Sequence, residues 1–271
     1  YLYGEYRRLN NRFEGVLTGK GLEFGGSYVR TEATGFGLIY FLEAVCRAQD
    51  SFVEGKTVMV SGAGNVALHA ALKASEKGAK VVTLSNSRGL LYNVQGLSEA
   101  DITWAIENHN QRDNILLDMA DEGMGKWQPD ETPWHFKCDI ALPCATQNEL
   151  DENDARKLLE NGCTMILEGA NMPCTDKAQK VFFDAKVTYV PGKASNAGGV
   201  ALSGLEMSQN AMFNQRNADT LDEQLKTIMN HIHDLCVTEG KHDGETYINY
   251  MKGANVAAFR KLADAIVAQG V

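Results

Sequence analysis

The amino-acid sequence predicts an α/β fold in which a doubly wound sheet carries helices on both faces. Between Lys56 and Arg88, an apolar strand, a glycine-rich turn, an alanine-rich helical pattern and a second apolar strand follow one another. Further along the chain, three short apolar runs each lead into small and amide residues. Strands that alternate with helical segments in this way are typical of a parallel sheet.

The amino-terminal residues 1–14 carry apolar and aromatic side chains at helical spacing, which predicts an amphipathic helix. Because the chain starts inside this pattern and without a methionine, we expect it to be a piece of something longer. A second helix is predicted from Gly35 to about Gln49. Thr34 lies close to its expected N-cap, so capping alone could explain the hydroxyl. Arg30 lies in the preceding loop, where an arginine more often forms a surface ion pair than part of a binding site.

The next segment reads as a βαβ unit with strands at Thr57–Val60 and Val81–Leu84. The turn after the first strand is Gly-x-Gly-x-x-Ala. Gly62 permits the sharp turn, Gly64 lets the backbone approach a pyrophosphate, and Ala67 lets the helix pack closely on the sheet. The amino terminus of that helix offers unpaired N–H groups and a positive dipole end to a phosphate. This context predicts a Rossmann-type dinucleotide site rather than a plain structural turn.

The end of the second strand bears on which dinucleotide is bound. NAD-specific sites place an acidic residue there, on the ribose 2′-hydroxyl, but this chain reads Ser85-Asn86-Ser87-Arg88. Hydroxyls and a guanidinium could accommodate a 2′-phosphate, whereas a solvated turn is the alternative. The expected cofactor is therefore NAD(P), with a slight preference for NADP.

The remaining helices follow from capping and periodicity. Ser98 opens a helical stretch through Ile106 with a sequence suited to a capped start. The polar segment 108–137 is interpreted as a helix followed by a loop. A helix is expected to begin near 197–204, and two long amphipathic helices are predicted over 219–239 and 255–269.

Three predicted strands, at 138–143, 164–167 and 187–190, end in small and amide residues. In a doubly wound sheet, ligands bind outside the carboxyl ends of the strands. Singly, each asparagine there could be a turn or cap residue. Their shared position predicts that four side chains converge on the cofactor crevice, namely Thr146, Asn148, Asn171 and Asn196.

Composition excludes several classes of function. The chain is 44% hydrophobic and 23% charged, as in a soluble globular protein, and its net charge of −9 argues against nucleic acid as a partner. No apolar run is long enough to span a membrane, and no signal-like amino terminus is present. Six dispersed cysteines fit reduced, buried thiols of a cytoplasmic protein. A catalytic cysteine and a metal site are both disfavoured, the latter because His231 and His233 point to different faces of a helix.

Six segments along the chain form a recognisable set of motifs, namely Leu17–Lys20, Arg30–Gly35, Gly62–Ala67, Pro143–Asn148, Ala170–Pro173 and Ser195–Val200. Taken together, they resemble glutamate dehydrogenase, and more closely its bacterial hexameric type. The resemblance covers essentially all 271 residues. It implies a reversible, NAD(P)-linked oxidative deamination of L-glutamate to 2-oxoglutarate and ammonia.

The resemblance also implies roles for individual residues. Thr34 resembles the residue that holds the nicotinamide carboxamide, and Ser203 the hydroxyl that meets the side-chain carboxylate of glutamate. The substrate-side residues are Asn196, Val200 and Ser203. The expected cofactor-binding residues are Arg30, Thr34, Gly62, Ala63, Gly64, Asn65, Val66, Ser85, Asn86, Ser87, Arg88, Ala145, Thr146, Gln147, Asn148, Ala170, Asn171 and Asn196.

Members of this family also have a preceding substrate domain that carries catalytic lysines and an aspartate, and those motifs are not found in this sequence. We therefore expect no catalytic residue in the chain, which should bind NAD(P) without turnover. Residues 1–22 are interpreted as a remnant helix of the substrate domain, 23–247 as the Rossmann domain, and 248–271 as a helix returning to the substrate domain.

Two alternatives remain open at this point. A branched-chain or other amino-acid dehydrogenase would share the Rossmann half, although Ser203 and the segment 145–148 disfavour it. A non-catalytic dinucleotide-binding module is the second alternative. The parent protein is expected to be a homohexamer acting on a small-molecule substrate, and this chain to form a smaller assembly.

Overall fold

The computed structural model describes residues 1–241, 244 and 246–270 and confirms the α/β class. A seven-stranded sheet has the order β4-β3-β2-β1-β5-β6-β7. Strands β2, β1, β5, β6 and β7 are parallel to one another. Strands β3 and β4 are added in antiparallel orientation at the edge beside β2. The strands are β1 Thr57–Val60, β2 Lys80–Asn86, β3 Gly89–Tyr92, β4 Lys126–Pro129, β5 Ile140–Leu142, β6 Met165–Leu167 and β7 Thr188–Val190.

Helices connect the strands and flank the sheet at both ends of the chain. The capped start at Ser98 is confirmed, since its hydroxyl accepts from the backbone N–H of Asp101 and the Asp101 carboxylate accepts from that of Ser98. The helices are α1 Leu2–Asn10, α2 Ala33–Ala48, α3 Asn65–Glu76, α4 Glu99–Asn108, α5 Ile115–Asp121, α6 Glu152–Glu160, α7 Asp176–Asp184, α8 Gly192–Ser195, α9 Gly198–Met212, α10 Ala218–Gly240 and α11 Tyr250–Gln269.

Strand β1 shows why helices cover both faces of the sheet. Successive side chains of a strand point to opposite faces. Val58 and Val60 belong to a core cluster with residues of α2, α3 and α10. Met59 belongs to a second cluster with residues of α6 and α7. Every residue of β1 after Thr57 is thus buried, as expected of a central parallel strand.

The interpretation of residues 108–137 as a helix and then a loop was incomplete. Helix α5 is present, but strand β4 follows it and pairs with β3, which was also not predicted. Strand β4 reads Lys-Trp-Gln-Pro and lies at the edge of the sheet, half-buried. Without an apolar run it gives no strand signal of its own. Gly89, at φ 148°, closes a tight hairpin from β2 to β3.

The terminal helices differ in their contacts. The first turns of α11 are buried against α10 at Tyr250, Gly253 and Ala254. Its second half exposes large apolar side chains, including Phe259 and Leu262. Helix α1 has no buried residue. The assignment of both chain ends to a substrate domain stays a prediction.

Buried His233 of α10 makes the stability of this helical layer depend on pH. Its ring packs against Phe41 and Tyr250, its Nε2 lies 3.1 Å from the Tyr250 hydroxyl, and its Nδ1 lies 3.2 Å from an Asp234 carboxylate oxygen. Burial lowers the pKa of His233 below its usual 6.5, although Asp234 opposes this effect. Below about pH 6.5, the unfolded chain therefore binds more protons at His233 than the folded chain does, which favours unfolding.

We expect the free energy of unfolding to decrease between about pH 7.5 and about pH 5.5 more in the wild type than in His233→Gln, because the variant has no imidazole to protonate. Urea unfolding at both pH values measures this difference. Carboxylates titrate equally in both proteins and cancel in the comparison. An identical pH dependence in the two proteins would show that His233 is not the group responsible.

Candidate functional site

Two adjoining cavities lie at the carboxyl edge of the sheet. One of about 680 Å³ runs from the glycine turn after β1 to the end of β2. The other, of about 660 Å³, lies between the loops after β5 and β6 and the start of α9. They share Val66, Cys144, Ala145 and Thr146 in their walls, so they form one continuous crevice. Strands β1 and β5 are neighbours whose connections run in opposite directions along the sheet, which is where doubly wound folds bind ligands.

The glycine turn has the geometry that anion binding requires. Gly62 has φ 92°, and its N–H donates to the Ser85 hydroxyl over 3.1 Å. Helix α3 begins at Asn65, and no side chain caps its first turn. Its leading N–H groups are therefore open to a phosphate. The Asn65 side chain itself is engaged, because its amide donates to the Thr31 carbonyl over 2.5 Å.

Only part of the polar turn at the end of β2 faces the cavity in the described structure. Ser85, Asn86 and Ser87 line the cavity. Arg88 is not among its described lining residues, because its guanidinium forms two hydrogen bonds of 2.7 and 3.0 Å with the Asp113 carboxylate. This pairing holds the pKa of Asp113 below its usual range.

Sequence reasoning missed two basic residues at this end of the crevice. His109 and Arg112 line the same cavity as Ser87. The Arg112 guanidinium lies over the Trp104 ring, 5.3 Å from its centre. Both basic residues belong to the polar segment after α4, where nothing in the sequence indicates that the chain returns to the end of β2.

The other end of the crevice brings together the predicted residues of three loops. Thr34, Thr146, Asn171 and Asn196 all line its cavity. The Asn196 amide donates to Asn171 Oδ1 over 2.8 Å and to the Ala170 carbonyl over 3.3 Å. Thr34 lies in the first turn of α2 without capping it, since the N-cap position is Glu32 and no side chain caps the helix.

One predicted residue lies apart from this wall. Asn148 is exposed and is not among the described residues that line either cavity. It has φ 58°, and its backbone N–H donates to the Met172 carbonyl over 3.0 Å. Its neighbour Gln147 does line the crevice. Asn148 therefore has the features of a turn residue, which was the alternative to a cofactor-binding role. Asparagine is favoured at turn positions with left-handed backbone geometry.

Ser203 is the centre of the predicted substrate side. Its Oγ accepts hydrogen bonds of 2.9 Å from Arg30 Nε and of 2.9 Å from the Thr18 hydroxyl. No residue that the structure describes accepts the hydroxyl proton of Ser203, which can therefore be donated to a ligand. Val200, one turn earlier on α9, is 72% exposed and adds an aliphatic surface to the same cavity.

A buried ion pair lies directly beneath Ser203. Lys20 Nζ is 2.6 Å from Glu206 Oε1, and the two side chains are 3% and 0% exposed. The backbone N–H of Gly19 donates to the other carboxylate oxygen over 2.8 Å. These contacts fasten the loop that carries Thr18 onto α9. Lys20 lies in a segment that the resemblance singled out, but its partner is 186 residues away and could not be identified from spacing.

Glu149 fixes the loop between the two cavities. Its carboxylate accepts from the backbone N–H groups of Ala145 and Thr146 over 2.9 and 3.4 Å. Burial raises its pKa, which these hydrogen bonds and one to Ser61 oppose. Sequence reasoning missed this residue as well, because its role depends on a loop conformation.

The cysteines are free and buried, as the sequence predicts. Burial raises the pKa of the Cys144 thiol, which lines the crevice, well above its usual value. Among the residues that the structure describes, no group of three or more His, Cys, Asp or Glu side chains could hold a metal ion. Nor does any helix in the described part of the chain have the length and apolar character needed to cross a membrane.

Comparisons with known proteins agree with this geometry. The chain is 47% identical over 271 residues to a glutamate dehydrogenase of Bacteroides thetaiotaomicron, covering 100% of the chain and 61% of that relative. It is 47% identical to the NADP-specific glutamate dehydrogenase of Escherichia coli, covering 60% of it, and 48% identical to the NAD-specific enzyme of Bacteroides fragilis, covering 61%. The chain thus spans about 61% of the length of the curated relatives it matches.

Solved structures show the same likeness. The crystal structure of a Plasmodium falciparum glutamate dehydrogenase matches 100% of the chain and 58% of its own, with a TM-score of 0.96 at 42% identity. The hetero-hexameric glutamate dehydrogenase of Thermus thermophilus matches with a TM-score of 0.83 at 25% identity, covering 99% of the chain and 61% of its own. A sequence model of one family, glutamate/leucine/phenylalanine/valine dehydrogenase, matches residues 25–270. This chain belongs to the glutamate/leucine/phenylalanine/valine dehydrogenase family.

Proposed function

We propose that this chain is the cofactor-binding part of an NAD(P)-dependent glutamate dehydrogenase, which interconverts L-glutamate and 2-oxoglutarate with release or uptake of ammonia. The observation that carries the proposal is the continuous crevice. It joins a dinucleotide turn at one end to a hydroxyl and guanidinium pair, Ser203 and Arg30, at the other. One crevice can thus hold both the cofactor and the molecule it reacts with.

We propose one orientation for the cofactor in the crevice. Its pyrophosphate would lie on the open N–H groups of α3, and its adenosine would extend toward the end of β2. The nicotinamide would then occupy the second cavity, where Thr34, Asn171 and Asn196 offer hydroxyl and amide groups to its carboxamide. When bound, the nicotinamide supplies hydride transfer, and these side chains orient its ring.

We propose a preference for NADP over NAD. No carboxylate follows β2, and His109 and Arg112 face the cavity beside Ser87. Three acidic residues also line this cavity: Asp113, which is paired with Arg88, Glu131, and Glu149, whose carboxylate is bonded to the backbone of Ala145 and Thr146. At the end of β2 itself, a 2′-phosphate would meet hydroxyls and the Arg112 guanidinium, while the 2′-hydroxyl of NAD would lack an acidic residue directly after β2. The relatives include enzymes named for either cofactor.

We assign Arg30 to the substrate rather than to the cofactor. Its Nε is held by Ser203, and no described residue accepts a hydrogen bond from its terminal nitrogens. A guanidinium fixed at one nitrogen can receive a carboxylate with the other two. Ser203, whose hydroxyl proton is free, would share that carboxylate. A site with these polar groups disfavours leucine or valine, because an aliphatic side chain would leave them unpaired.

The residues of this chain position cofactor and substrate, and we assign no proton-transfer step to them. The chain alone is therefore proposed to bind NAD(P) without turnover. We also propose that the full-length protein is a cytoplasmic homohexamer and that this chain forms a smaller assembly. The Thermus thermophilus relative is a hetero-hexamer, which supports an assembly of six subunits, and buried free thiols fit a reducing compartment. Light scattering that gave a hexamer for this chain would contradict the assembly proposal.

Equilibrium titration with NADPH, followed by the fluorescence of the reduced nicotinamide, tests the proposed function. We expect the wild type to bind and Gly62→Ala to bind at least about tenfold more weakly. A methyl group at Gly62 would approach Ala67 Cβ at 3.0 Å and the Cys144 carbonyl at 3.1 Å, at a φ of 92°. Gly55→Ala is the matched control, since it has φ 76° and open space around it. Absence of binding by the wild type, or equal binding by Gly62→Ala, would contradict the proposal.

A further inference from the structure

A buried carboxylate lies behind the nicotinamide end of the crevice. Glu168 follows β6 directly and is 3% exposed. The predicted site did not include it, and its hydrogen bonds within the described part of the chain involve neither Ser203 and Arg30 nor the glycine turn. Burying a charged group is costly unless hydrogen bonds compensate it, so its partners show what holds it there.

The carboxylate joins two separate loops. Oε1 accepts from the Tyr189 hydroxyl of β7 over 2.7 Å and from the backbone N–H of Cys174 over 3.4 Å. Oε2 accepts from the backbone N–H of Gly192, the first residue of α8, over 2.8 Å. The carbonyl of Glu168 in turn accepts from the Ser195 hydroxyl over 2.6 Å. The loop after β6 and the helix after β7 are thus bonded to one side chain.

These two loops carry the amides of the nicotinamide end. Asn171 lies in the loop after β6, and Asn196 is the C-cap of α8. Their side chains are bonded to each other over 2.8 Å, and Asn196 also bonds to the Ala170 carbonyl. The spacing of the two amides therefore depends on the distance between these two segments. The hydrogen bonds of Glu168 hold that distance.

We propose that Glu168 is a positioning residue for the nicotinamide ring, acting through Asn171 and Asn196. This inference rests on the proposed function, because it requires that a nicotinamide cofactor occupy the crevice. A carboxylate suits the task because it presents only acceptors to three donors, which lie on the loop after β6, on β7 and at the start of α8. A glutamine would turn an N–H₂ group toward one of those donors, so the loops would move apart without loss of side-chain volume.

The experiment uses two pairs of ligands that differ only in the nicotinamide. NADPH is compared with 2′-phospho-ADP-ribose, and NADH with ADP-ribose, by isothermal titration of the wild-type chain and Glu168→Gln. We expect Glu168→Gln to weaken binding of the dinucleotide about tenfold and to leave the nicotinamide-free ligand within about twofold. Tyr189→Phe removes one of the three hydrogen bonds and should cause a smaller loss of the same selectivity. The matched control is Glu160→Gln, an exposed glutamate at the end of α6.

The outcomes separate this inference from the proposed function. If the wild type binds none of the four ligands, the proposed function fails and the inference with it. If the wild type binds and Glu168→Gln binds NADPH and NADH unchanged, only the positioning role is overturned. An equal loss for the nicotinamide-free ligands also overturns it, because Glu168 would then support the crevice as a whole. Should Glu168→Gln fail to fold, Tyr189→Phe decides by the same comparison.

Discussion

Replacing Lys20 by methionine is expected to destabilise the domain by about 3–5 kcal/mol, the usual cost of leaving a buried charge without its partner. Among the described residues, the Glu206 carboxylate, 0% exposed, would then keep only the N–H of Gly19 within hydrogen-bonding distance. Methionine preserves most of the volume, so a cavity is not the cause. Chemical denaturation followed by circular dichroism measures the change.

The double variant Lys20→Met with Glu206→Met is expected to recover much of that loss, since it buries two apolar side chains and no charge. Arg156→Met, which breaks the exposed pair with Glu152, serves as the control and should change stability little. A loss below about 1 kcal/mol for Lys20→Met would mean that water or another group satisfies Glu206, and that the ion pair does not fasten the loop of Thr18 to α9.

Ser87→Asp is expected to weaken NADPH binding by about a hundredfold while changing NADH binding little. The serine lies at the end of β2, on the wall that also contains His109 and Arg112. A carboxylate there would face the 2′-phosphate, and like charges brought together cost several kcal/mol. The same carboxylate can accept from the ribose 2′-hydroxyl of NADH. Parallel isothermal titrations at one salt concentration give both constants.

Ser208→Asp is the control for added charge, because Ser208 is exposed on α9 and is not among the described residues that line either cavity of the crevice. It should leave both affinities within about twofold, since exposed charges separated by more than a Debye length are largely screened. Equal weakening of NADPH and NADH by Ser87→Asp would place the adenosine elsewhere. Unchanged NADPH binding would remove the end of β2 from the site and leave that turn solvated.

The glycine turn and the strands around it could be predicted because their signals are local. A strand, two glycines and a helix within about twenty residues specify the geometry that binds a pyrophosphate. The convergence of Thr146, Asn171 and Asn196 was also predictable, because the carboxyl ends of parallel strands share one edge. The order of strands and helices along the chain is enough to predict which strand ends lie together.

The features that could not be predicted depend on contacts between distant segments. Glu206 pairs with Lys20 across 186 residues, and no pattern in either segment specifies the partner. Arg112 reaches the crevice because its loop is bonded to the end of β2, where the Asn86 amide donates to Asn114 and Arg88 donates to Asp113. Arg88 was predicted for the cofactor, yet it is paired with Asp113, 25 residues away. In each case the contact forms only in the folded chain, between segments that carry no sequence signal for one another.

A crystal structure of this chain with NADPH would show where the dinucleotide binds. We expect its pyrophosphate within hydrogen-bonding distance of the first N–H groups of α3, and its nicotinamide carboxamide beside Thr34, Asn171 and Asn196. A dinucleotide bound instead in the cavity of about 1140 Å³ between α1 and the loop at 17–24, with the crevice empty, would contradict the account.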